Sequence, residues 1–198
     1  MKKYKRILKA VTGGLILCLL CSAIGLYGQA EGVRDSVVRL HILANSDSTQ
    51  DQTIKLKVRD AVTAAAAGWL DGATNQAEAL ALAQSHLPHI RQVAEQTVAE
   101  AGADYSVAVE LNRMYFTTRQ YDRVTLPAGV YDAVRITLGE GAGQNWWCVV
   151  FPPFCAGAAT NPTDFLTSDQ QDFLFQEPEY TVKFKVLEWF ESFLQIFR

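Results

Sequence analysis

The chain has little of what catalytic and metal sites are usually built from. Three histidines and four cysteines occur in 198 residues, and no HExxH, no paired CxxC motifs and no GxSxG elbow is present. The common zinc-peptidase, zinc-ribbon and α/β-hydrolase signatures are therefore missing. His86 and His89 flank Pro88 in an HxxH spacing. No acidic or cysteine ligand lies close to them in sequence, and a proline between them disturbs helical geometry, so surface or capping histidines are the plainer reading and no metal or other cofactor is expected. The glycine-rich GEGAG at 139 to 143 lacks the Lys-Ser or Lys-Thr of a phosphate loop and precedes a strand-like run rather than a helix start, which makes it a hairpin connection.

Positive charge is scarce once the N terminus is set apart. Lys2, Lys3, Lys5, Arg6 and Lys9 are followed by no charged residue until Glu31. A basic cluster before a long apolar run is the pattern of an export segment, with Gly28, Gln29 and Ala30 as a small-x-small cleavage site, and the run is also long enough to serve as an uncut membrane anchor. The expected division is residues 1–30 as signal peptide or anchor and 31–198 as one extracytoplasmic domain, with the basic cluster left inside. Taking those five bases from the 18 leaves 13 against 21 acids, a net charge of about −8 on the exported part. A nucleic-acid groove needs the opposite sign, so that class of partner is excluded. Cys148 and Cys155 are the cysteines beyond the export segment. In an oxidising compartment such a pair fits a disulfide around Pro152 and Pro153, and two small buried thiols are the other reading.

What is present reads as an α+β domain. Val38, Leu40 and Ile42 alternate with Arg39 and His41, predicting a strand with one buried face. The spacing of Ile54, Val58, Ala61, Val62, Ala65 and Trp69 predicts an amphipathic helix with Lys55 and Arg59 pointing away, capped by Ser48 with Asp51 or by Asp47 with Gln50. Asn75 and Glu78 open a second helix, which must break, kink or restart at Pro88 and ends at Gly102. Tyr105, Val107, Val109 and Leu111 then alternate as a strand, another strand is expected near Tyr115 to Tyr121, and further strands are expected around Val134 to Leu138 and in WWCVVF. Val182, Val186, Trp189, Phe190, Phe193 and Phe197 recur at helical spacing near the C terminus. The expected fold is a mostly antiparallel sheet covered on one face by helices, preceded by the N-terminal signal or anchor helix.

The catalytic suspects are His41, Asp47 and Ser48, since strand ends and the loops after them often carry reactive groups. A triad needs a base within hydrogen-bond reach of its nucleophile, and Ser48 is better employed as a helix cap. An extracytoplasmic hydrolase using these three residues is the rival to a domain without activity of its own. A membrane-tethered structural envelope domain is the other rival. Adjacent Trp146 and Trp147 point to opposite faces of a strand, so one belongs to the core and the other to a contact surface.

The segment HILANSDSTQDQTIKLKVRDAV at 41 to 62 resembles a signature of the stage II sporulation protein R family of endospore-forming bacteria. GEGAGQNWWCVVFPPFC at 139 to 155 looks like the family's second signature, and YTVKFKVLEWFE at 180 to 191 is similar to its C-terminal segment. The resemblance implies a signalling protein, not an enzyme. It would be made in the forespore, exported across the forespore membrane into the space between the two sporulating compartments, and would trigger a membrane-embedded aspartic protease of the mother cell to cleave pro-sigma-E. Two readings of ANSDS then stand side by side. In one, Ser48 and Asp51 hold the helix start and Lys57, Arg59 and Asp60 are solvated or paired. In the other, Asn45, Asp47, Ser48, Lys57 and Arg59, with Trp146 and Trp147, form the surface that binds the protease.

Overall fold

The structure, a computed structural model, describes residues 2–121, 124–153, 166–174 and 188. In chain order the elements are α1 (Lys2–Arg34), β1 (Val38–Leu43), α2 (Thr49–Trp69), α3 (Gln76–Glu100), β2 (Val107–Phe116), β3 (Arg119–Tyr121), β4 (Val124–Leu126), β5 (Gly129–Leu138), β6 (Asn145–Phe151) and α4 (Ser168–Leu174).

β1, α2, α3, β2, β5 and β6 make one compact unit, spanning Arg34–Phe116 and Val130–Thr167. Its sheet has the strand order β2-β5-β1-β6. β1 pairs with β6 antiparallel, Leu40 opposite Cys148 and His41 opposite Trp147. Against β5 it runs parallel, His41 opposite Arg135. β2 and β5 run in opposite senses: Glu110 reaches Arg135, while Arg113, further along β2, reaches Asp132, earlier on β5. The α+β class holds, but the sheet is mixed because its two central strands are parallel. A parallel pair needs a long crossover, and α2 and α3 lie within the one that follows β1.

The core lies between α2, α3 and one sheet face. Val38, Leu40 and Ile42 of β1, Val107 and Val109 of β2, Val134, Ile136 and Leu138 of β5, and Cys148 and Val150 of β6 meet Ile54, Val58, Val62 and Trp69 of α2 and Ile90, Ala94 and Val98 of α3. Each side chain of Val or Ile size fully removed from water contributes about 1.5–3 kcal/mol, so this layer fixes the register of the sheet. The period-two expectation for β1 was half correct. Its alternate residues Arg39 and His41 are buried too, at 0% and 4% exposure, because β1 is an interior strand whose second face is covered by aromatic rings.

Both helix starts follow the capping expectation. Ser48 Oγ accepts from Asp51 N at 3.1 Å, and Asn75 Oδ1 accepts from Glu78 N at 3.0 Å. α3 ends at Gly102, whose φ of 76° suits the left-handed position after a helix. Of the break, kink or restart expected at Pro88, neither the break nor the restart occurs, since α3 is one helix through it. Pro88 and Gln84, whose carbonyl loses its partner to the proline ring, are both exposed, so the lost bond falls on the solvent side of the helix. The strand expected over Tyr115 to Tyr121 is likewise two: β2 stops at Phe116 and β3 starts at Arg119.

The second unit gathers α1, the antiparallel β3–β4 pair and α4. α1 runs through Gly28, Gln29 and Ala30 without interruption to Arg34. Several of its side chains fall outside the description, and among the described residues no helix is long and apolar enough to cross a membrane. Gln170 Nε2 of α4 donates to Gly32 O at 2.8 Å. Cys155 and, apart from Glu188, the expected C-terminal helix lie outside the described residues.

Candidate functional site

β1 delivers the chain to Ala44, and five residues later α2 begins. The intervening turn is tied together by one carboxylate. Asp51 Oδ2 accepts from Ser46 Oγ at 2.6 Å and from Asn45 Nδ2 at 2.9 Å, while Ser48 N donates to Ser46 Oγ at 3.1 Å. These bonds hold the Asp51 carboxyl below its ordinary value, with Ser46 the largest contributor and Asn45 next. Burial and the neighbouring Asp51 charge push the Tyr105 phenol up to about 12.

The same turn grips the glycine loop between β5 and β6. Asn45 Oδ1 accepts from Glu140 N at 3.0 Å, and Asp47 Oδ1 accepts from Gln144 N at 2.8 Å. Main-chain bonds run from Ala142 N to Asn45 O at 3.1 Å and from Gly143 N to Ala44 O at 2.9 Å. Lys55 completes the joint. It was expected to point away, yet it is buried at 4% exposure. Its Nζ donates to Gln52 Oε1 at 2.5 Å and to Gln144 O at 3.0 Å. Burial lowers its pKa, opposed by the charge of Asp47. Position on the helical wheel did not reveal this, because the loop that covers Lys55 comes from a segment 89 residues later.

The proposed surface residues therefore separate. Asn45, Asp47 and Ser48 turn their hydrogen-bonding atoms into this joint. Lys57 is exposed on α2. Arg59 lies 4.5 Å from the centre of the Trp146 ring and pairs with Asp60 at 2.6 Å. Trp147 is on the opposite sheet face, stacked on His41 with 6.1 Å between ring centres. The two tryptophans do point apart, as the strand geometry requires.

His41, Asp47 and Ser48 are not brought together as a triad. His41 Nε2 bonds Asn145 Oδ1 at 2.8 Å, whereas Asp47 and Ser48 serve Gln144 N and Asp51 N. His86 and His89 have ring centres 6.5 Å apart, and among the described residues no group of three or more His, Cys, Asp and Glu side chains could hold a metal ion.

Burial lowers the pKa of His41, Asn145 partly offsets this, and Arg135 and Arg39 add to the lowering. The sign of the linkage follows. The unfolded chain binds a proton near 6.5 that the folded chain resists, so stability is expected to fall as pH is lowered through that value. Urea titrations on either side of it should show a drop that His41→Gln reduces.

The chain matches the family model described as Stage II sporulation protein R over residues 34–161. It belongs to the stage II sporulation protein R family. The match includes the turn, the glycine loop and every strand of the four-stranded sheet. Stage II sporulation protein R of Bacillus subtilis (strain 168) is 45% identical over 123 residues, 62% of this chain and 55% of that protein. The chain thus aligns with about half the length of this relative. No solved structure matches.

Proposed function

We propose that this chain is an exported signalling protein of sporulation, without catalytic activity of its own, that activates the membrane-embedded aspartic protease of the mother cell which cleaves pro-sigma-E. Family membership is the observation that carries the reading. It is supported by the basic-then-apolar N terminus of an export segment and by the absence of hydrogen bonds among His41, Asp47 and Ser48. In this reading residues 1–30 take the chain across the forespore membrane, as a cleaved signal or as an anchor, and the remainder acts in the intermembrane space. Cys148 and Cys155 are joined there, which intact-mass measurement after thiol alkylation, with and without reductant, would test.

A ligand activates a protease by binding its active arrangement more tightly than its inactive one. The joint of Asn45, Asp47, Ser48 and Asp51 acts in this as scaffold. Contact falls to the groups it leaves outward, Lys57 and the Arg59–Trp146 pair, and to the face that carries Trp147. Deleting the gene is expected to leave pro-sigma-E uncleaved on an immunoblot of sporulating cells. In reconstitution, purified chain and protease should together cleave pro-sigma-E, and Lys57→Glu combined with Trp147→Ala should slow cleavage about tenfold or more if both lie in the contact. Normal processing in the deletion strain would overturn the proposal, and substrate turnover by the chain alone that His41→Ala abolishes would overturn it in favour of the hydrolase.

A further inference from the structure

β2 is an outer strand of the four-stranded sheet, with β5 on one side and no strand on the other among the described residues. Its register against β5 follows from contacts that share one offset. Gly139 N donates to Ser106 O at 2.8 Å, and the Glu110–Arg135 and Arg113–Asp132 pairs continue the same alignment. Opposite residues in an antiparallel ladder alternate between pairs that exchange main-chain bonds and pairs that do not. Since Ser106 bonds Gly139, the main-chain groups of Ala108, Glu110 and Asn112 face β5. Val109, Leu111 and Arg113 therefore turn their N–H and C=O groups outward along the open edge.

Such an edge is a template for a further strand, and proteins that stay monomeric blunt theirs with proline, lysine or short length. β2 has none of these. It runs for 10 residues as VAVELNRMYF, and at the offset above its ends coincide with those of β5, also 10 residues long. Two polar side chains lie near its middle, on the face turned away from α2 and α3. Glu110 is 55% exposed and gives Oε1 to Arg135 at 3.4 Å, which leaves Oε2 open. Asn112 is half-buried, and its amide makes no hydrogen bond among the described residues.

We infer that β2 is a self-association edge: two copies of this chain pair antiparallel through β2 about a two-fold axis at Leu111, joining their sheets into one. A two-fold contact uses the same patch on both copies, so the patch must complement itself. Outward residues can meet only outward residues, which places the axis on a residue rather than between two. An axis at Glu110 would set that carboxylate against its own copy, a like-charge pair that destabilises a ladder. An axis at Leu111 overlaps nearly the whole strand and sets Glu110 opposite Asn112 of the second copy. Each Glu110 Oε2 then accepts from the other copy's Asn112 amide while Oε1 keeps Arg135. The main-chain groups of Val109 meet those of Arg113 in the second copy, and Leu111 meets Leu111 on the axis. A second copy is the occupant this edge fits, because the strand itself supplies both the open donors and the acceptors that satisfy them.

The test is sedimentation of the full chain in non-ionic detergent over a range of concentrations, where a monomer–dimer equilibrium is expected. Arg113→Pro removes an outward N–H without touching a bond to β5 and should abolish the dimer, whereas Arg113→Ala keeps that N–H and should not. Asn112→Glu sets carboxylates opposite one another and should weaken association about tenfold; adding Glu110→Gln to it should restore the dimer, a rescue that a merely structural role for Asn112 would not give. This second pair of variants decides the matter if the proline variant fails to fold. Amide exchange reads the register: Val109 and Leu111 should be protected in the dimer and lose protection on dilution, while β5 keeps Glu110 and Asn112 protected throughout. A chain that stays monomeric at every concentration overturns the inference, and protection of Val109 and Leu111 in that monomer would give the edge to another segment of the same chain. A dimer indifferent to both Arg113→Pro and Asn112→Glu also overturns it, by placing the contact elsewhere.

Discussion

Asp51→Ala is expected to destabilise the chain by about 3 kcal/mol, because a buried charge-assisted bond is worth about 1.5–3 kcal/mol and its orphaned partners add a desolvation penalty. Asp51 is 8% exposed, and its carboxylate accepts from both Asn45 and Ser46. Without it, the Asn45 amide loses one of the two bonds that orient it toward Glu140 N, so the grip on the glycine loop weakens along with the turn. The unfolding midpoint should fall by roughly 10 °C in a domain of this size. Asp51→Asn distinguishes charge from shape: both donors bond one oxygen, Oδ2, so an amide oxygen in its place can keep both bonds while the negative charge is lost. The wild-type advantage over either variant should depend on pH. The carboxyl is held below 3.8 in the folded chain, so its contribution is fully present above that value and is lost as pH falls through the folded-state pKa. Urea midpoints compared at neutral and acid pH measure both effects.

How much of this was legible beforehand depends on the range of the interactions. Ser48 and Asn75 announced their caps because a cap is closed within three residues, and Gly102 announced a helix end for the same reason. The apolar face of Val107, Val109 and Leu111 on β2, with Tyr105 just before the strand, also followed from alternation, since these residues pack on the core beneath the helices. β1 was misread on one side because alternation detects a half-buried strand. Arg39 and His41 sit on a strand interior to the sheet, and the rings over them come from Phe116, Tyr131 and Trp147, all distant in sequence. Lys55 was misread for a related reason, as its covering atom is the Gln144 carbonyl. The candidate turn was visible as a run of small polar residues. What they bond to was not, because the partners are main-chain N–H groups of Glu140, Ala142, Gly143 and Gln144, and a main-chain donor is not announced by its side chain. Asp51 was seen as half of a capping box, but its central role rests on two side chains behind the cap, Asn45 and Ser46, rather than on the cap itself.

Gly143 carries the other large expected effect, and it joins the 41–62 and 139–155 segments physically. A β-carbon built there would stand 2.2 Å from Ser46 O, 2.5 Å from Ser46 C and 2.9 Å from Ala44 Cβ. Two of these three atoms are backbone, held by the Gly143 N to Ala44 O bond and its neighbours, so no flexible side chain can yield. Gly143→Ala should therefore push the 139–144 loop off the turn rather than settle beside it. Moving the loop forfeits the bonds of Ala142 N and Gly143 N to the turn and of Gln144 N to Asp47, and uncovers the buried Lys55 ammonium. Losses of that kind together give an expected cost of about 3–5 kcal/mol, the range reached by overpacking and broken buried networks. Gly68→Ala is the control. Nothing lies within 4 Å of its added carbon, and alanine in a helix is favoured over glycine by about 0.5–1 kcal/mol, so that variant should be as stable as wild type or slightly more so. Amide exchange separates loop detachment from global unfolding: the amides of Glu140, Ala142, Gly143 and Gln144 should lose protection in folded Gly143→Ala while those of Leu40 and Ile42 keep it. Retained protection at the loop with an unchanged denaturation midpoint would mean that the turn and the glycine loop are not mutually dependent, and that the two segments are coupled by some other contact.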